Sequence, residues 1–326
     1  MAGRVLVTGG AGYLGRALVT ELVRTGEAVT VMAGPDDHAV QPGGLGRGVE
    51  VVRADITDAT SVDAAMRGIS HVYHLAGIAS PNSRLAHTIW NANMLGTYHV
   101  AHSALSSGIQ RVVHVSSTAA VGYPPDGVVA DEQFDVRDSV LDNVYAATKR
   151  AGERVMLDFG ERGLDVVVVN PAAVFAPGSG PPRSWQGLLA AARRGLLRGV
   201  PPGGTAVCGA RDFVAGATAA MVKGGAGERY ILSSANLTYR RIAELLVEAV
   251  GRSHAVRTLP MGLFRTAGAG NRVMRDLIGN PRHDDALVPE NVELMGRHVY
   301  YASGKAEREL GVPRMPAAEL IREFAR

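Results

Sequence analysis

The 326-residue sequence is short of several things, and each shortage excludes a class of protein. It has one cysteine, Cys208, so no disulfide can close within the chain, and a reducing compartment fits that usage. It has three lysines, Lys149, Lys223 and Lys305, among 34 basic residues. Arginine therefore sets the pI of about 9.1, while the net charge stays at +3. Aromatic residues make up only 5%, and the basic residues are scattered rather than gathered in a stripe with them, which argues against nucleic-acid binding. No apolar run reaches the length of a membrane span. The N-terminus enters a strand at once, leaving no room for a signal peptide. Internal repeats and low-complexity tails are missing too. His71 and His74 fall on opposite faces of a strand, and His99 and His102 share a helix face without an acid or thiol beside them, so no metal site is expected. What is left is an ordinary globular chain, 46% hydrophobic and 20% charged, expected in the cytoplasm with no membrane partner.

The pattern along the chain alternates strands and helices. Arg4 to Thr8 is a short apolar run bounded by glycine, and Tyr13 to Thr25 has helical apolar spacing. Further strands are expected at 28–32, 49–53, 71–75, 111–116 and 165–170. The last of these, Asp-Val-Val-Val-Val-Asn, lacks alternation and reads as buried on both faces. Helices are expected at 62–67, from about 85 to 107, from Tyr145 to about 161, at 186–197 and at 240–250. This order predicts an α/β doubly wound parallel sheet of the Rossmann kind. Composition shifts after Phe175, where prolines and glycines accumulate. The expected division is a dinucleotide-binding domain over 1–175 and a smaller, partly interleaved substrate domain over 176–326, with a strand near 229–234 returning to the first.

Between the first strand and first helix lies Gly9-Gly10-Ala11-Gly12-Tyr13-Leu14-Gly15. In a chain with 40 glycines the bare spacing is weak. Its place between strand and helix makes it a cradle for a pyrophosphate: one glycine for the turn, one for close approach of backbone to phosphate, one for helix–strand packing. Asp55, after the third strand, can accept from an adenine amine with Ile56 against the ring, or it can serve as a helix N-cap. The tip of the second strand, Met32-Ala33-Gly34-Pro35-Asp36, carries neither the acid that binds ribose hydroxyls nor an arginine for a 2′-phosphate. Asp36, Arg16 and Arg53 are candidates to reach the ribose or its phosphate, and NAD(H) and NADP(H) both stay open.

Tyr145 and Lys149 stand four apart, on one face of a helix. An ammonium beside a phenol favours the phenolate, so the pair predicts a tyrosine whose pKa is lowered toward general acid–base work. The chain holds a second Tyr-x-x-x-Lys, Tyr301 and Lys305. That one has Gly304 inside it and no hydroxyl-bearing strand end upstream, and it reads better as the entry to a helix over 303–310. Upstream of Tyr145, Ser116-Ser117-Thr118 offers hydroxyls that can bind a substrate oxygen.

In order along the chain, Thr8 to Gly15, Asp55-Ile56, His74-Leu75-Ala76-Gly77, Asn93-Met94-Leu95-Gly96-Thr97, Ser116-Ser117-Thr118, Tyr145-x-x-x-Lys149 and Asn170-Pro171-Ala172-Ala173-Val174-Phe175 resemble the extended short-chain dehydrogenase/reductase family. Gly227 to Leu232 and Asn236-Leu237-Thr238 look like its branch of dihydroflavonol reductases, 3β-hydroxysteroid dehydrogenases and sugar epimerase-like proteins. The resemblance implies catalysis by Thr118, Tyr145 and Lys149, with Ser117 as the alternative hydroxyl and Asn93 helping to position the lysine through water. It implies cofactor contacts at Gly9, Gly12, Tyr13, Leu14, Gly15, Asp55, Ile56, Leu75, Ala76, Gly77, Pro171 and Val174, beside Tyr145 and Lys149. A homodimer face on the Asn93 and Tyr145 helices is also implied, although packing inside one chain explains those residues equally well.

Three positions depart from the family pattern. Gly34 stands where the branch tends to carry a phosphate-binding arginine, Ala176 replaces an expected glycine, and Ala119-Ala120 stand where sugar 4,6-dehydratases carry an acid pair. The expected activity is NAD(P)-dependent reduction of a ketone or aldehyde of a small molecule, or oxidation of the alcohol. One alternative is a nucleotide-sugar epimerase or 4-ketoreductase that retains NAD. Its diphosphate would call on Arg183, Arg193, Arg194, Arg198 or Arg211, which otherwise read as solvated helix faces. Another is a regulator that binds the cofactor without chemistry.

Overall fold

The computed structural model describes residues 3–35, 45, 48–177, 185–278 and 288–326, with backbone alone for 272–278 and 290. Asp36 and Arg183, named above, lie outside the described residues.

The first half runs β1 (Arg4–Thr8), α1 (Tyr13–Arg24), β2 (Ala28–Ala33), β3 (Glu50–Arg53), α2 (Ala59–Ala65), β4 (Ile69–His74), α3 (Ala86–Trp90), α4 (Gly96–Ser106), β5 (Arg111–Val115), α5 (Thr118–Val121), β6 (Val129–Ala130) and α6 (Val144–Glu161). It continues with β7 (Val166–Pro171), β8 (Ala173–Phe175), α7 (Trp185–Arg193), β9 (Gly199–Val200), β10 (Gly204–Gly209), α8 (Ala210–Lys223), β11 (Arg229–Leu232) and β12 (Ala235–Thr238). The chain ends with α9 (Tyr239–Ala249), β13 (Arg257–Thr258), α10 (Met261–Ile278), α11 (Pro289–Met295), β14 (His298–Tyr301) and α12 (Ala317–Phe324).

Seven strands form one parallel sheet in the order β11-β7-β5-β4-β1-β2-β3. Along each strand, successive side chains enter opposite layers. Val5, Val7, Val113, Val167 and Val169 face α1 and α8, with Leu18, Leu22, Phe213 and Ala217. Leu6, Val72, Val112, Val166 and Val168 face α2, α4 and α6, with Val62, Val100, Met156 and Phe159. This is the doubly wound arrangement expected. The strand order reverses between β1 and β4, the place where such sheets bind ligands beyond their carboxyl ends.

A second, mixed sheet in the order β12-β10-β14-β6, with β8 also paired to β10, stands beyond those ends. Behind it, α7, α9 and α12 close an apolar cluster around Phe175, Leu189, Ile242, Leu246, Ile321 and Phe324. The two sheets exchange segments: β11 comes late in sequence and joins the parallel sheet, while β6 comes early and joins the mixed one.

Several elements differ from expectation for local reasons. The helix expected over 85–107 contains a π-type turn at Asn91–Leu95 between α3 and α4, which apolar periodicity does not reveal. The turn lies where Gly152 of α6 approaches so closely that a Cβ there would sit 2.4 Å from the Asn93 carbonyl. Helix α2 starts three residues earlier than expected because Asp58, not Asp55, caps it, accepting from the Thr60 N–H at 3.1 Å. Helix α7 ends at Arg193, ahead of Gly195 with φ +73°. The Ser303–Leu310 segment forms a short π-type turn at Ala306–Leu310.

Candidate active site

The carboxyl ends of the parallel strands and the edge of the mixed sheet enclose a cleft of about 730 Å³. Its dinucleotide side is shaped by backbone. Gly9 has φ +67°, and a Cβ there would lie 2.8 Å from the Ala76 nitrogen. Gly12 caps α1 and donates its N–H to the Gly9 carbonyl at 2.9 Å. A Cβ on Gly15 would stand 2.2 Å from that same carbonyl. The three glycines thus fold the loop onto itself and bring the free N–H groups of the α1 start to the cleft wall.

The floor of this side rests on a directed chain of hydrogen bonds. The amides of Leu75 and Ala76 donate to Thr8 Oγ1 at 3.2 and 3.1 Å. Thr8 Oγ1 lies 2.8 Å from His74 Nδ1, His74 Nε2 lies 2.9 Å from Thr97 Oγ1, and Thr97 donates to the Asn93 carbonyl at 2.7 Å. A threonine that gives its only proton to a carbonyl must accept from the histidine. His74 is therefore the neutral Nε2–H tautomer, accepting from Thr8 through Nδ1. Complete burial holds its pKa down to about 3, in keeping with that assignment.

Every residue expected to contact cofactor lines the cleft: Gly9, Gly12, Tyr13, Leu14, Gly15, Asp55, Ile56, Leu75, Ala76, Gly77, Pro171 and Val174. Asp55 Oδ1 accepts from the amide and hydroxyl of Thr57 at 2.9 and 2.8 Å, so one oxygen shapes its own turn. Tyr13 reaches across the cleft mouth, donating to the Ala176 carbonyl at 2.6 Å. The cradle, which added Cβ atoms would fill, together with the Asp55-Ile56 pair, fits a dinucleotide.

Thr118, Tyr145 and Lys149 meet on the opposite wall. Asn143 caps α6 by accepting from the Ala146 N–H at 2.9 Å, which fixes where the helix starts and hence where Tyr145 points. The Ser117 side chain opposes the rise that burial gives the Tyr145 pKa, and Thr118 does the same for Tyr301. Lys149 is buried and donates from Nζ to the Val115 carbonyl at 2.8 Å. The sequence reading of a lowered tyrosine pKa is reversed in this structure: burial raises that of Tyr145, against the opposing hydrogen bond from Ser117. The lysine spends its contact on Val115 instead of the phenol. Desolvation brings Lys149 itself down to about 8, with Glu153 acting in the other direction.

Asn93 stands apart from the cleft lining. Its Oδ1 accepts from the Ile78 N–H at 2.7 Å, and its Nδ2 donates to the Ile78 carbonyl and Thr148 Oγ1, both at 3.0 Å. It ties the loop after β4 to α6.

The rest of the cleft was not visible in the sequence. Ile78, Ala79, Tyr123, Trp185, Thr205, Val299 and Tyr301 come from five separated segments. Tyr301 belongs to the second Tyr-x-x-x-Lys, yet its lysine turns away: Lys305 pairs with Glu228 and donates to the Arg229 carbonyl at 2.9 Å. The Tyr301 hydroxyl donates to the Gly122 carbonyl at 2.5 Å.

Residues 5–232 match the model of the NAD dependent epimerase/dehydratase family. The chain belongs to that family. It is an enzyme of the extended short-chain dehydrogenase/reductase type, and its cofactor is a nicotinamide dinucleotide. Among similar proteins, sterol demethylase protein B of Methylococcus capsulatus is 30% identical over 310 residues, covering 94% of this chain and 92% of that one. A ketoreductase of Stigmatella aurantiaca, acting on a farnesyl dihydroquinoline oxide, is 30% identical over 94% of this chain and 91% of its own. A putative dihydroflavonol 4-reductase of Synechocystis is 28% identical over 96% and 91%. The fold is shared with UDP-glucose 4-epimerase of Thermus thermophilus in complex with NAD, at a TM-score of 0.76 and 23% identity over 99% of this chain and 97% of that one.

Proposed function

We propose that this family member reduces a ketone or aldehyde on a largely apolar small molecule, or oxidises the corresponding alcohol, with Tyr145 as general acid–base. The observation that carries the reading is the charge of the cleft. Among the described residues lining it, only Asp55 and Lys149 are charged, and both are on the dinucleotide and catalytic side. A nucleotide-sugar diphosphate calls for cations at the other end. Arg193, Arg194, Arg198 and Arg211 do not line the cleft. Arg193 donates to the Ala325 carbonyl at 2.8 Å, and Arg211 pairs with Glu319 and Glu323. Ile78, Ala79, Trp185 and Val299 suit an apolar carbonyl compound. The names of the ketoreductase and dihydroflavonol reductase relatives point the same way.

The bound nicotinamide supplies or accepts the hydride. The work of the chain is to hold the carbonyl oxygen near the Ser117–Thr118 hydroxyls and to move a proton at Tyr145 Oη. Lys149 stabilises the tyrosinate as it forms. Ala119-Ala120 in place of an acid pair removes the groups a dehydration would use.

The test is a panel of apolar ketones offered with NADH and NADPH, followed by consumption of the reduced nicotinamide. Turnover is expected, with kcat falling about 10²–10⁴-fold in Tyr145→Phe while cofactor affinity is kept. Interconversion of a nucleotide sugar with NAD carried through purification, and no apolar turnover, would replace the reading with the epimerase.

A further inference from the structure

Helix α6 carries a third ionisable residue on the face that holds Tyr145 and Lys149. Glu153 lies one turn after Lys149, next to Gly152, which packs on the π-type turn. It is 4% exposed, an unusual burial for a carboxylate. Its Oε2 accepts from Asn170 Nδ2 at 2.7 Å, and the same amide group donates to the Ser117 carbonyl at 3.0 Å. Arg229, at the start of β11, reaches it from the sheet edge at 3.5 Å. One carboxylate is thus linked through Asn170 to the strand end that carries the hydroxyls, and it shares a helix face with the lysine.

Among the described residues, Glu153 is the one acid whose charge acts on Lys149. Tyr145 is a neutral phenol on the same helix. His74 of β4 and His114 of β5 are buried, both are kept neutral, and both are pushed further that way by the lysine. Arg229 adds positive charge behind the carboxylate. An ammonium with no anion nearby is costly to bury and loses its proton.

We propose that Glu153 is a positioning residue, the buried counter-charge that keeps Lys149 an ammonium and, through Asn170, braces the Ser117–Thr118 strand end. It acts on the site proposed above without touching the reacting atoms. Its carboxylate offsets the burial of the lysine, and Arg229 restrains that effect by sharing the carboxylate.

The chain makes this testable without a substrate, because three lysines give three signals in a protein labelled with carbon-13 at lysine Cε. The Lys149 signal is assigned by its loss in Lys149→Arg. In the native protein it is expected to titrate near 8. Glu153→Gln removes the charge at almost constant shape and is expected to lower that midpoint by about one pH unit. Arg229→Gln removes the competing cation and is expected to raise it. A role for Glu153 in packing alone moves neither midpoint, so unchanged titration in both variants would overturn the proposal. So would shifts in the same direction. If Glu153→Gln does not fold by near-ultraviolet circular dichroism, the upward shift in Arg229→Gln decides. Failure of the apolar-ketone panel leaves this measurement intact, so the two readings fail separately.

Discussion

The two sides of the cleft are built from different materials. The dinucleotide side is made of main chain: Gly9, Gly12 and Gly15 within one turn, the amides of Leu75 and Ala76, and a hydrogen-bonded column from Thr8 through His74 to Thr97. The far side is made of side chains, Tyr123, Trp185, Thr205, Val299 and Tyr301 among them, delivered by segments up to 178 residues apart in sequence, the span from Tyr123 to Tyr301. Backbone geometry tolerates no added atom, so the first side is fixed in shape and suits a ligand common to the family. Side chains can be exchanged one at a time with the scaffold left standing, so the second side is where the choice of substrate can change.

The sharpest way to break the first side is at Gly15. An added Cβ would meet the Gly9 carbonyl at 2.2 Å and the Gly10 Cα at 2.6 Å, both backbone atoms that cannot rotate aside. Gly15→Ala must therefore open the loop. Dinucleotide affinity is expected to fall at least about 100-fold, as befits a lost phosphate cradle. Isothermal titration calorimetry, at a temperature where circular dichroism shows the variant folded, measures it. Affinity within a few-fold of native would mean that the loop is softer than its packing says.

The same division explains what could be read from sequence. The glycine turn, Asp55-Ile56 and the Tyr145/Lys149 pair are local patterns whose spacing directly encodes geometry: a turn between strand and helix, a strand end, one helix face. The parallel sheet was legible because short, unalternating, β-branched runs such as Val166 to Val169 favour strands buried on both faces. The far wall has no such code. Val299 and Thr205 face the cleft because β14 and β10 pair with each other, a long-range event that neither residue announces. Tyr301 stood in a motif that drew attention for the wrong reason, since its lysine is held by Glu228 while the tyrosine lines the cleft. The tyrosine pKa was misread for a related cause: spacing places Lys149 on the same face as Tyr145 but does not reveal that its nitrogen turns to the Val115 carbonyl, nor that the phenol is desolvated.

Where the two materials meet, at the tip of β2, the comparison can be sharpened. Gly34 has no atom within 4 Å of the place a Cβ would take, and its backbone is not in the left-handed region. Unlike Gly15, it is a glycine that steric necessity does not explain. Arg53 donates to its carbonyl at 3.1 Å, so one guanidinium already stands at this tip. Gly34→Arg is expected to fold normally and to raise the affinity for NADPH relative to NADH about tenfold, the scale of one charge-assisted bond to a 2′-phosphate. Paired calorimetric titrations measure the ratio. No change would show that the ribose lies beyond reach of this strand tip.

Trp185 offers the gentlest break and tests the second side alone. It opens α7, lines the cleft and stacks on Phe175 with ring centroids 4.5 Å apart. Phe175 in turn packs edge-on against Phe324 at 5.0 Å, so the indole is backed by the apolar cluster behind the mixed sheet rather than by the Rossmann layers. Removing it withdraws apolar wall from the substrate and nothing from the dinucleotide cradle. If about 50 Å² of contact is lost, at about 25 cal/mol per Å², KM for an apolar carbonyl substrate rises about tenfold. Kd for the dinucleotide should stay within about twofold, since binding sites on separate walls with no shared partner contribute independently. Steady-state kinetics of Trp185→Ala beside cofactor titration separates the two numbers. A matching loss in both would mean that the clamp between Tyr13 and the Ala176 backbone carries strain from one wall to the other, and that the two sides, for all their difference in material, act as one.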